Sequence, residues 1–173
     1  DAVQIAGNIA ADRTRAAVIF SDAGDNPGGG GRGNTLWLLN ALVEADAKDV
    51  LYGSFFDPSL AAEAHSLGVG TPFSAVFNRN RESEFSKRAT IPARVLALGD
   101  GKLVGRRGIY AGRAIDLGPS CALAVGASES ITVIVMSERL QTADPIFFEQ
   151  FDIDVSAARC VCVKSRGHFR AGF

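Results

Sequence analysis

The feature that most constrains this chain is a glycine-rich segment at residues 21–35, which reads SDAGDNPGGGGRGNT. Each glycine fixed in one backbone conformation costs about 0.5–1 kcal/mol relative to alanine, so a run of four requires a local reason. The preceding residues 15–20 form a short apolar run, and residues 35–46 place leucines at helical spacing. The pattern therefore predicts a strand, a glycine loop and a helix, with Asn34 or Thr35 as the helix cap.

Backbone N–H groups in such a loop, just before a helix, favour an anion such as a carboxylate or a phosphate. Gly28, Gly30 and Gly33 satisfy the dinucleotide pattern G-x-G-x-x-G, and residues 28–35 approach the P-loop pattern with Asn34 in place of its lysine. However, seven residues separate the strand from Gly28, whereas a dinucleotide turn follows its strand almost directly. A substrate loop, a nucleotide loop and a surface turn without a ligand all stay open.

Two strand–helix units are predicted in the first half of the chain. Residues 49–56 form a second, buried strand in this prediction, and residues 58–67 form a helix ended by Gly68. Because the units follow one another, we expect their strands to be parallel neighbours joined by a right-handed crossover. Residues 71–78 provide a third strand of the same sheet. Residues 1–12 fit either a short helix or a linker.

The second half of the chain predicts antiparallel hairpins. Five short apolar runs are separated by glycine turns, which is typical of hairpins. Asp144 caps a short helix with Pro145 at its first position, and residues 159–164 form the last strand. We therefore predict one mixed α/β (α+β) domain over residues 1–173, with parallel strand–helix units followed by antiparallel hairpins. The five runs are residues 91–98, 103–109, 114–117, 121–125 and 131–136.

Composition argues against nucleic acid and membrane partners. The 173 residues have a formal net charge of -1, with 47% hydrophobic and 21% charged residues, which is ordinary for a globular protein. No apolar run approaches the roughly 20 residues of a membrane-spanning helix, and no secretory leader is found. Three cysteines, an odd number, argue against a disulfide framework and predict a cytoplasmic location. The chain starts at Asp1 instead of methionine, so we expect a processed or excised piece.

Candidate acidic groups lie at the mouth of the glycine loop. Asp22 and Asp25 are three residues apart where the first strand ends, so they could orient a substrate amine or support a neighbouring metal centre. Asp and Asn side chains in such loops also bond their own backbone, and D-N-P is a turn signal by itself. Both a functional and a structural role stay open for the two carboxylates.

Candidate basic groups follow the last strand. Arg166, His168 and Arg170 lie close together in the chain, and Gly167 allows a sharp turn between them. Arginine forks suit carboxylate recognition, and histidine side chains titrate near neutral pH, so this turn could bind a substrate carboxylate or move a proton. A solvated basic turn is the alternative. Arg32 lies inside the glycine loop, where it could face an anion.

The remaining histidine and two of the cysteines predict structural roles. His65 lies near the C-terminal end of its helix, where an imidazole suits the helix dipole. Cys160 and Cys162 alternate onto one face of a strand, and a C-x-C pair with one distant histidine is poor spacing for zinc. We therefore predict no metal site in this chain, and no Ser-His-Asp or Cys-His arrangement is found.

Asp22, the DNPGGG run at residues 25–30 and Thr35 are accompanied by further short motifs in a fixed order. Together they resemble the C-terminal domain of the microcystinase C (MlrC) family of metallopeptidases, over nearly the whole chain. One departure is the charged run NRNRESE at residues 78–84, where relatives carry a glycine- and lysine-bearing loop; substrate preference therefore stays open. The further motifs are FDP at 56–58, AEAH at 62–65, RVLALGDG at 94–101, YAG at 110–112, DLGP at 116–119, ADP at 143–145 and VKSRGHFR at 163–170.

The resemblance implies a metal-dependent hydrolase acting on a peptide or small amide bond. Relatives hold zinc in a larger N-terminal domain, which has no counterpart in this chain, so we expect the isolated chain to be inactive and to bind no zinc itself. Its partners would be the substrate, its own N-terminal domain and a possible second copy. We expect His168 to be catalytic. The expected substrate-binding residues are Asp22, Asp25, Asn26, Gly28, Gly29, Gly30, Arg32, Arg166 and Arg170.

Two other functions stay open on the sequence. The chain could be an anion- or nucleotide-binding module that uses its glycine loop without catalysis. It could also be a structural domain that mediates dimer contacts. A nucleotide titration and a measurement of oligomeric state would separate these from the hydrolase.

Overall fold

The computed structural model describes residues 1–173, and its centre is a seven-stranded mixed β-sheet. The strands are β1 (Val18–Ser21), β2 (Val50–Phe56), β3 (Pro72–Phe77), β4 (Ala89–Gly99), β5 (Lys102–Val104), β6 (Ala114–Asp116), β7 (Ser120–Val125), β8 (Ile131–Met136) and β9 (Cys160–Val163). The helices are α1 (Ala2–Ala11), α2 (Trp37–Glu44), α3 (Pro58–Leu67) and α4 (Ile146–Glu149).

The strand order in the large sheet is β1-β9-β2-β8-β7-β4-β3. Strands β1, β9, β2 and β8 are parallel, whereas β7, β4 and β3 are joined by antiparallel pairing. Strands β5 and β6 form a separate antiparallel pair. The predicted α/β class, with a parallel half and an antiparallel half, is confirmed.

The prediction that β1 and β2 are neighbours is wrong, because β9 lies between them. Cys160 is in register with Val18 on one side and with Val50 on the other. All four residues of β9 are buried, as a central strand requires, whereas burial alternates along β1, which suits an edge strand. The burial of β9 on both faces therefore decides the order.

Most predicted element bounds agree with the structure, and the differences are local. Helix α3 and its end at Gly68 lie where predicted, and residues 1–12 form α1 instead of a linker. Neither Asn34 nor Thr35 caps α2; Leu36 stands at that position, and no side chain bonds the helix end there. The run at residues 103–109 is only partly a strand, because it ends in a 3-10 turn at Gly108–Tyr110.

The sheet has an apolar core on each face. A cluster of 24 buried residues packs between one face and helices α1, α2 and α3, and it includes Cys160 and Cys162, as predicted. On the other face, Phe148 of α4 packs with β2 and β9. Gly53 has no room for a side chain, because an added Cβ would overlap the Phe148 ring. None of the helices is long and apolar enough to cross a membrane.

Candidate functional site

The predicted site residues collect at one edge of the sheet, where the parallel strands end. The glycine loop (residues 22–35) follows β1, and the basic turn (residues 166–170) follows β9. Asp57 follows β2, and residues 137–144 follow β8. Ligands of open α/β sheets bind in the crevice outside the carboxyl ends of the strands, so this edge is the candidate functional site.

The backbone N–H groups of the glycine loop are used inside the loop. The Asn26 carbonyl accepts from the N–H groups of Gly29 at 3.0 Å and Gly31 at 2.9 Å, and its side-chain oxygen accepts from Gly28 at 3.0 Å. The Gly30 N–H donates to the Pro27 carbonyl at 3.1 Å. These amides are the donors that a phosphate cradle needs, so the loop as it stands does not present them to an anion.

The close approach that the glycines allow comes from the chain itself. A Cβ on Gly31 would lie 2.7 Å from the backbone carbon of Asp25, and a Cβ on Gly28 would lie 2.6 Å from the side-chain amide of Gln141. Gly30 and Gly33 have φ angles of 92° and 74°, which L-residues rarely adopt. The glycine content is therefore explained by the fold of the loop and its contact with Gln141.

A buried lysine fixes the base of the glycine loop. Lys164, which directly follows β9, is 1% exposed, and its ammonium donates to the carboxylates of Asp22 at 2.8 Å and Asp25 at 2.7 Å. It also donates to the Thr35 carbonyl at 3.0 Å. Lys164 was not predicted as a site residue; its signal in the sequence was a lysine directly after four apolar strand residues.

Asp25 lies beneath the glycine loop and not at its mouth. The side chain accepts from the N–H groups of Gly33 at 2.7 Å and Thr35 at 2.8 Å, in addition to the bond from Lys164. Burial raises the pKa of Asp25, but the charge and bonds of Lys164 and these N–H groups outweigh it, so the pKa is lowered overall. This carboxylate holds the loop together.

Burial alone would lower the pKa of Lys164, but nearby Tyr52, Asp22 and Asp25 raise it overall, so the lysine stays charged at neutral pH. The Tyr52 ring centroid lies 5.6 Å from the ammonium nitrogen, and burial raises the pKa of this tyrosine. Its hydroxyl is buried without a hydrogen-bond partner. Neither side chain is therefore suited to accept or release a proton near neutral pH.

Gln141 connects the glycine loop to the basic turn. Its side-chain oxygen lies 3.2 Å from Nδ1 of His168 and 3.4 Å from the hydroxyl of Ser165, while its amide group packs against Gly28. An amide oxygen can only accept, so Nδ1–H of His168 is the donor in this contact. Gln141 was not predicted, because nothing in its neighbourhood along the chain indicates these partners.

The other predicted site residues are spread around this contact. Arg166 and Arg170 are exposed on the basic turn, and their guanidinium groups form no hydrogen bond or ion pair. The turn is attached to β1 by the Ser21 hydroxyl, which donates to the Ser165 carbonyl at 2.7 Å. Arg32 is exposed in the glycine loop. The structure therefore brings Gly28 and His168 together through Gln141, and Asp22 and Asp25 together through Lys164.

His65 lies apart from this contact, since its Nε2 is 3.0 Å from the Ser120 carbonyl oxygen, which fits the structural role predicted for it. The chain does not bring three or more His, Cys, Asp or Glu side chains together in a group that fits a metal ion. The sulfurs of Cys160 and Cys162 lie 3.9 Å apart, and hydrogen bonding and burial raise the pKa of Cys162 well above its usual value. A buried protonated thiol is a poor metal ligand.

Comparison with known proteins gives consistent matches. The model of a family described as MlrC C-terminus matches residues 20–173. Microcystinase C from Sphingomonas sp. is 27% identical over 157 residues, which are 90% of this chain and 29% of that protein.

A similar solved structure is that of a protein from Mesorhizobium sp. BNC1, described as a proposed metallopeptidase. The TM-score is 0.78 at 20% identity, over 98% of this chain and 32% of that one, so the likeness concerns the fold. This chain therefore spans about a third of the length of either protein.

Proposed function

This chain belongs to the MlrC C-terminus family, and from that premise we propose that it is the C-terminal domain of a metal-dependent peptidase or amide hydrolase. In this proposal, a separate N-terminal domain holds a zinc ion, and the edge of the sheet described above lines the substrate cleft opposite it. The residues of this chain do not themselves fit a metal. Zinc in the other domain would activate water for attack on the amide carbonyl.

The main support for the proposal is the contact of Gln141 with Gly28 and His168. It joins segments that follow three parallel strands, and it presents a histidine whose orientation is set by a buried partner, since Gln141 is 7% exposed. Amide hydrolysis breaks the C–N bond, adds a hydroxyl to the carbonyl carbon and delivers a proton to the leaving nitrogen. In this proposal the neutral imidazole of His168 donates Nδ1–H to Gln141, accepts a proton on Nε2 and passes it to that nitrogen.

The other residues act on substrate binding in this proposal. Arg166 and Arg170 are exposed, form no hydrogen bond or ion pair through their guanidinium groups and flank His168, so they can bind a substrate carboxylate through their guanidinium forks. Gly28, Gly29 and Gly30 are exposed at the tip of the glycine loop, where a substrate backbone can approach closely. Asn26, Asp22 and Asp25 are positioning residues, because their side chains bond the loop or Lys164.

The test replaces His168 by glutamine in the full-length protein that contains this chain. We expect kcat/KM on a peptide substrate to fall about a hundredfold, as is typical for loss of a general acid–base group. Zinc content, measured by elemental mass spectrometry, should stay unchanged. The matched control is His65→Gln, which changes the histidine bonded to Ser120 and should retain activity. Unchanged kinetics in His168→Gln would remove this histidine from the mechanism.

The nucleotide-binding alternative is less well supported. A phosphate-binding loop needs free backbone N–H groups, but those of Gly28, Gly29, Gly30 and Gly31 donate within the glycine loop. We therefore expect no micromolar affinity for nucleotides in an equilibrium titration of the chain. Micromolar binding would favour the binding module instead.

A further inference from the structure

A concave surface lies beside the glycine loop. This cleft, of about 420 Å³, is bounded by Arg32 of the glycine loop, by residues 80–82 and by Arg139 of the segment after β8. Phe56, the last residue of β2, forms part of its lining. Three arginines from three separate segments thus line one cleft, which we call the arginine cleft.

The arginine side chains of the cleft form no hydrogen bond or ion pair within the protein. The guanidinium groups of Arg32, Arg81 and Arg139 form no ion pair and no hydrogen bond, although six other arginines pair with carboxylates. Glu82 is the single acidic residue in the lining, and its ion-pair partner is Arg88, at 3.9 Å. The lining therefore has an excess of two positive charges, and their mutual repulsion would be relieved by a bound anion.

The walls of the cleft are held together by buried polar bonds. The side-chain amide of Asn34 donates to the side chain of Asn78 at 3.0 Å, and the Asn78 amide donates back to the Asn34 carbonyl at 2.9 Å. The hydroxyl of Ser86 donates to Asn34 at 2.6 Å, and Asp57 accepts from the Asn78 N–H at 2.7 Å. The backbone beneath Arg32 is thereby fixed relative to the loop that carries Arg81.

One of the three guanidinium groups is also oriented by an aromatic ring. The central carbon of the Arg81 guanidinium lies 4.7 Å from the centroid of the Phe56 ring. A stacked guanidinium keeps its N–H edge free, and that edge matches the two oxygens of a carboxylate. A planar carboxylate can therefore form two parallel hydrogen bonds with this edge.

We propose that the arginine cleft is a binding site for a side-chain carboxylate of the ligand, recognised by Arg32, Arg81 and Arg139. If the chain is part of a hydrolase, the preferred substrates are peptides with an acidic residue near the cleaved bond. This substrate preference is the one part of the inference that rests on the proposed function. The binding site itself is a property of this chain and does not require that the hydrolase be active.

The test is a titration of the ¹⁵N-labelled chain, followed by the NMR signals of backbone and arginine Nε–H groups. The probes are N-acetyl-glutamate α-amide and N-acetyl-glutamine α-amide, which differ only in the side-chain charge. We expect saturable shifts near Arg32 and Arg81 with the glutamate probe and none with the glutamine probe. Equal binding of the two probes would overturn the proposal, and so would tighter binding of inorganic phosphate.

Variants make the assignment specific. Arg32→Gln, Arg81→Gln and Arg139→Gln should each weaken the glutamate probe about tenfold, since each removes one charge-assisted contact. The matched control is Arg113→Gln, an exposed arginine outside the cleft that also lacks a partner, and it should bind as the parent chain does. Equal affinities for all four variants would refute the proposal that the cleft binds a carboxylate. That result would leave the proposed function untouched, because the kinetics of His168→Gln test it separately.

Discussion

At the scale of single residues, Lys164 places an ammonium group where only 1% of its side chain meets water. Removing one member of a buried ion pair is costly, at about 3–5 kcal/mol, because the other charge is left without a partner. Asp25 is the more deeply buried of its two acidic partners, with 5% of its side chain exposed against 22% for Asp22. These ion pairs fix the base of the glycine loop and so contribute to the shape of the site.

The lowered pKa of Asp25 has a defined sign in the pH dependence of stability. The folded-state pKa of Asp25 lies below the ordinary value of about 3.9. The contribution of this carboxylate to the free energy of unfolding is therefore complete above about pH 3.9, and it is lost as the pH falls through the folded-state pKa. Burial raises the pKa of Asp57, so that group acts with the opposite sign. We expect Asp25→Asn to lower the free energy of unfolding by about 3 kcal/mol at neutral pH.

The same variant should flatten the acid limb of the stability profile. Urea unfolding, followed by circular dichroism from neutral pH down to about pH 3, measures the free energy that the parent chain loses below about pH 4. Asp25→Asn should lose less over that range. The control is Glu44→Gln, an exposed residue without a hydrogen bond or ion pair. If Asp25→Asn lost as much free energy of unfolding at acid pH as the parent chain, other carboxylates would be responsible for the loss.

At the scale of elements, local patterns predicted what local forces determine. Both ends of helix α3 lie where they were predicted. Asp57 caps the start of the helix, Pro58 is favoured at its first position, and Gly68 ends it, so each signal lies in the residue itself. The position of β9 between β1 and β2 was not predictable in this way, since it depends on pairing with residues more than a hundred positions away. Sequence predicted the strands but not all their neighbours.

Some residues of the candidate site were also predictable from local sequence, and others were not. His168 and the glycine loop were predicted from residue type and from family resemblance, and both lie at the carboxyl edge of the sheet. Gln141 and Lys164 were missed, because each acts on partners that only the fold brings near. A glutamine after a strand does not by itself indicate a functional site. Its contacts with Gly28 and His168 become visible only in the folded structure.

Two glycines in different elements should respond oppositely to alanine. Gly7 lies inside α1 with open space around its Cα, so Gly7→Ala should stabilise the chain by about 0.5–1 kcal/mol. In Gly31→Ala, the new methyl group would lie against the backbone of Asp25 and Asn26, so we expect a loss of about 1–3 kcal/mol. Urea unfolding measures both. Equal effects in the two variants would show that the glycine loop relaxes freely.

At the scale of the whole molecule, the sheet joins the parallel and antiparallel halves through the pairing of β7 with β8. All three cysteines are buried, with Cys121 in the antiparallel half and Cys160 and Cys162 in the parallel half. Burial raises the pKa of Cys121 to about 12, so little thiolate is present in the folded chain at neutral pH. Alkylation of these thiols therefore requires opening of the sheet.

We expect the three thiols of the folded chain to react with iodoacetamide at one slow, common rate, which peptide mass spectrometry can follow. A common rate is expected if both halves belong to one cooperative domain. The control is the chain in concentrated urea, where all three thiols should react at once. Faster labelling of Cys160 and Cys162 than of Cys121 would show that the parallel half opens by itself.

The central place of β9 also affects how the protein is made. Strand β1 pairs with β9 and with no other strand, and β9 leaves the ribosome after the other eight strands. Until it emerges, β1 has no partner, the glycine loop lacks the ammonium of Lys164, and β2 has an open edge. The carboxyl edge of the sheet is therefore completed only after residues 160–164 have been synthesised, and a chain cut short before Cys160 would contain the glycine loop but none of the bonds from Lys164 that hold it.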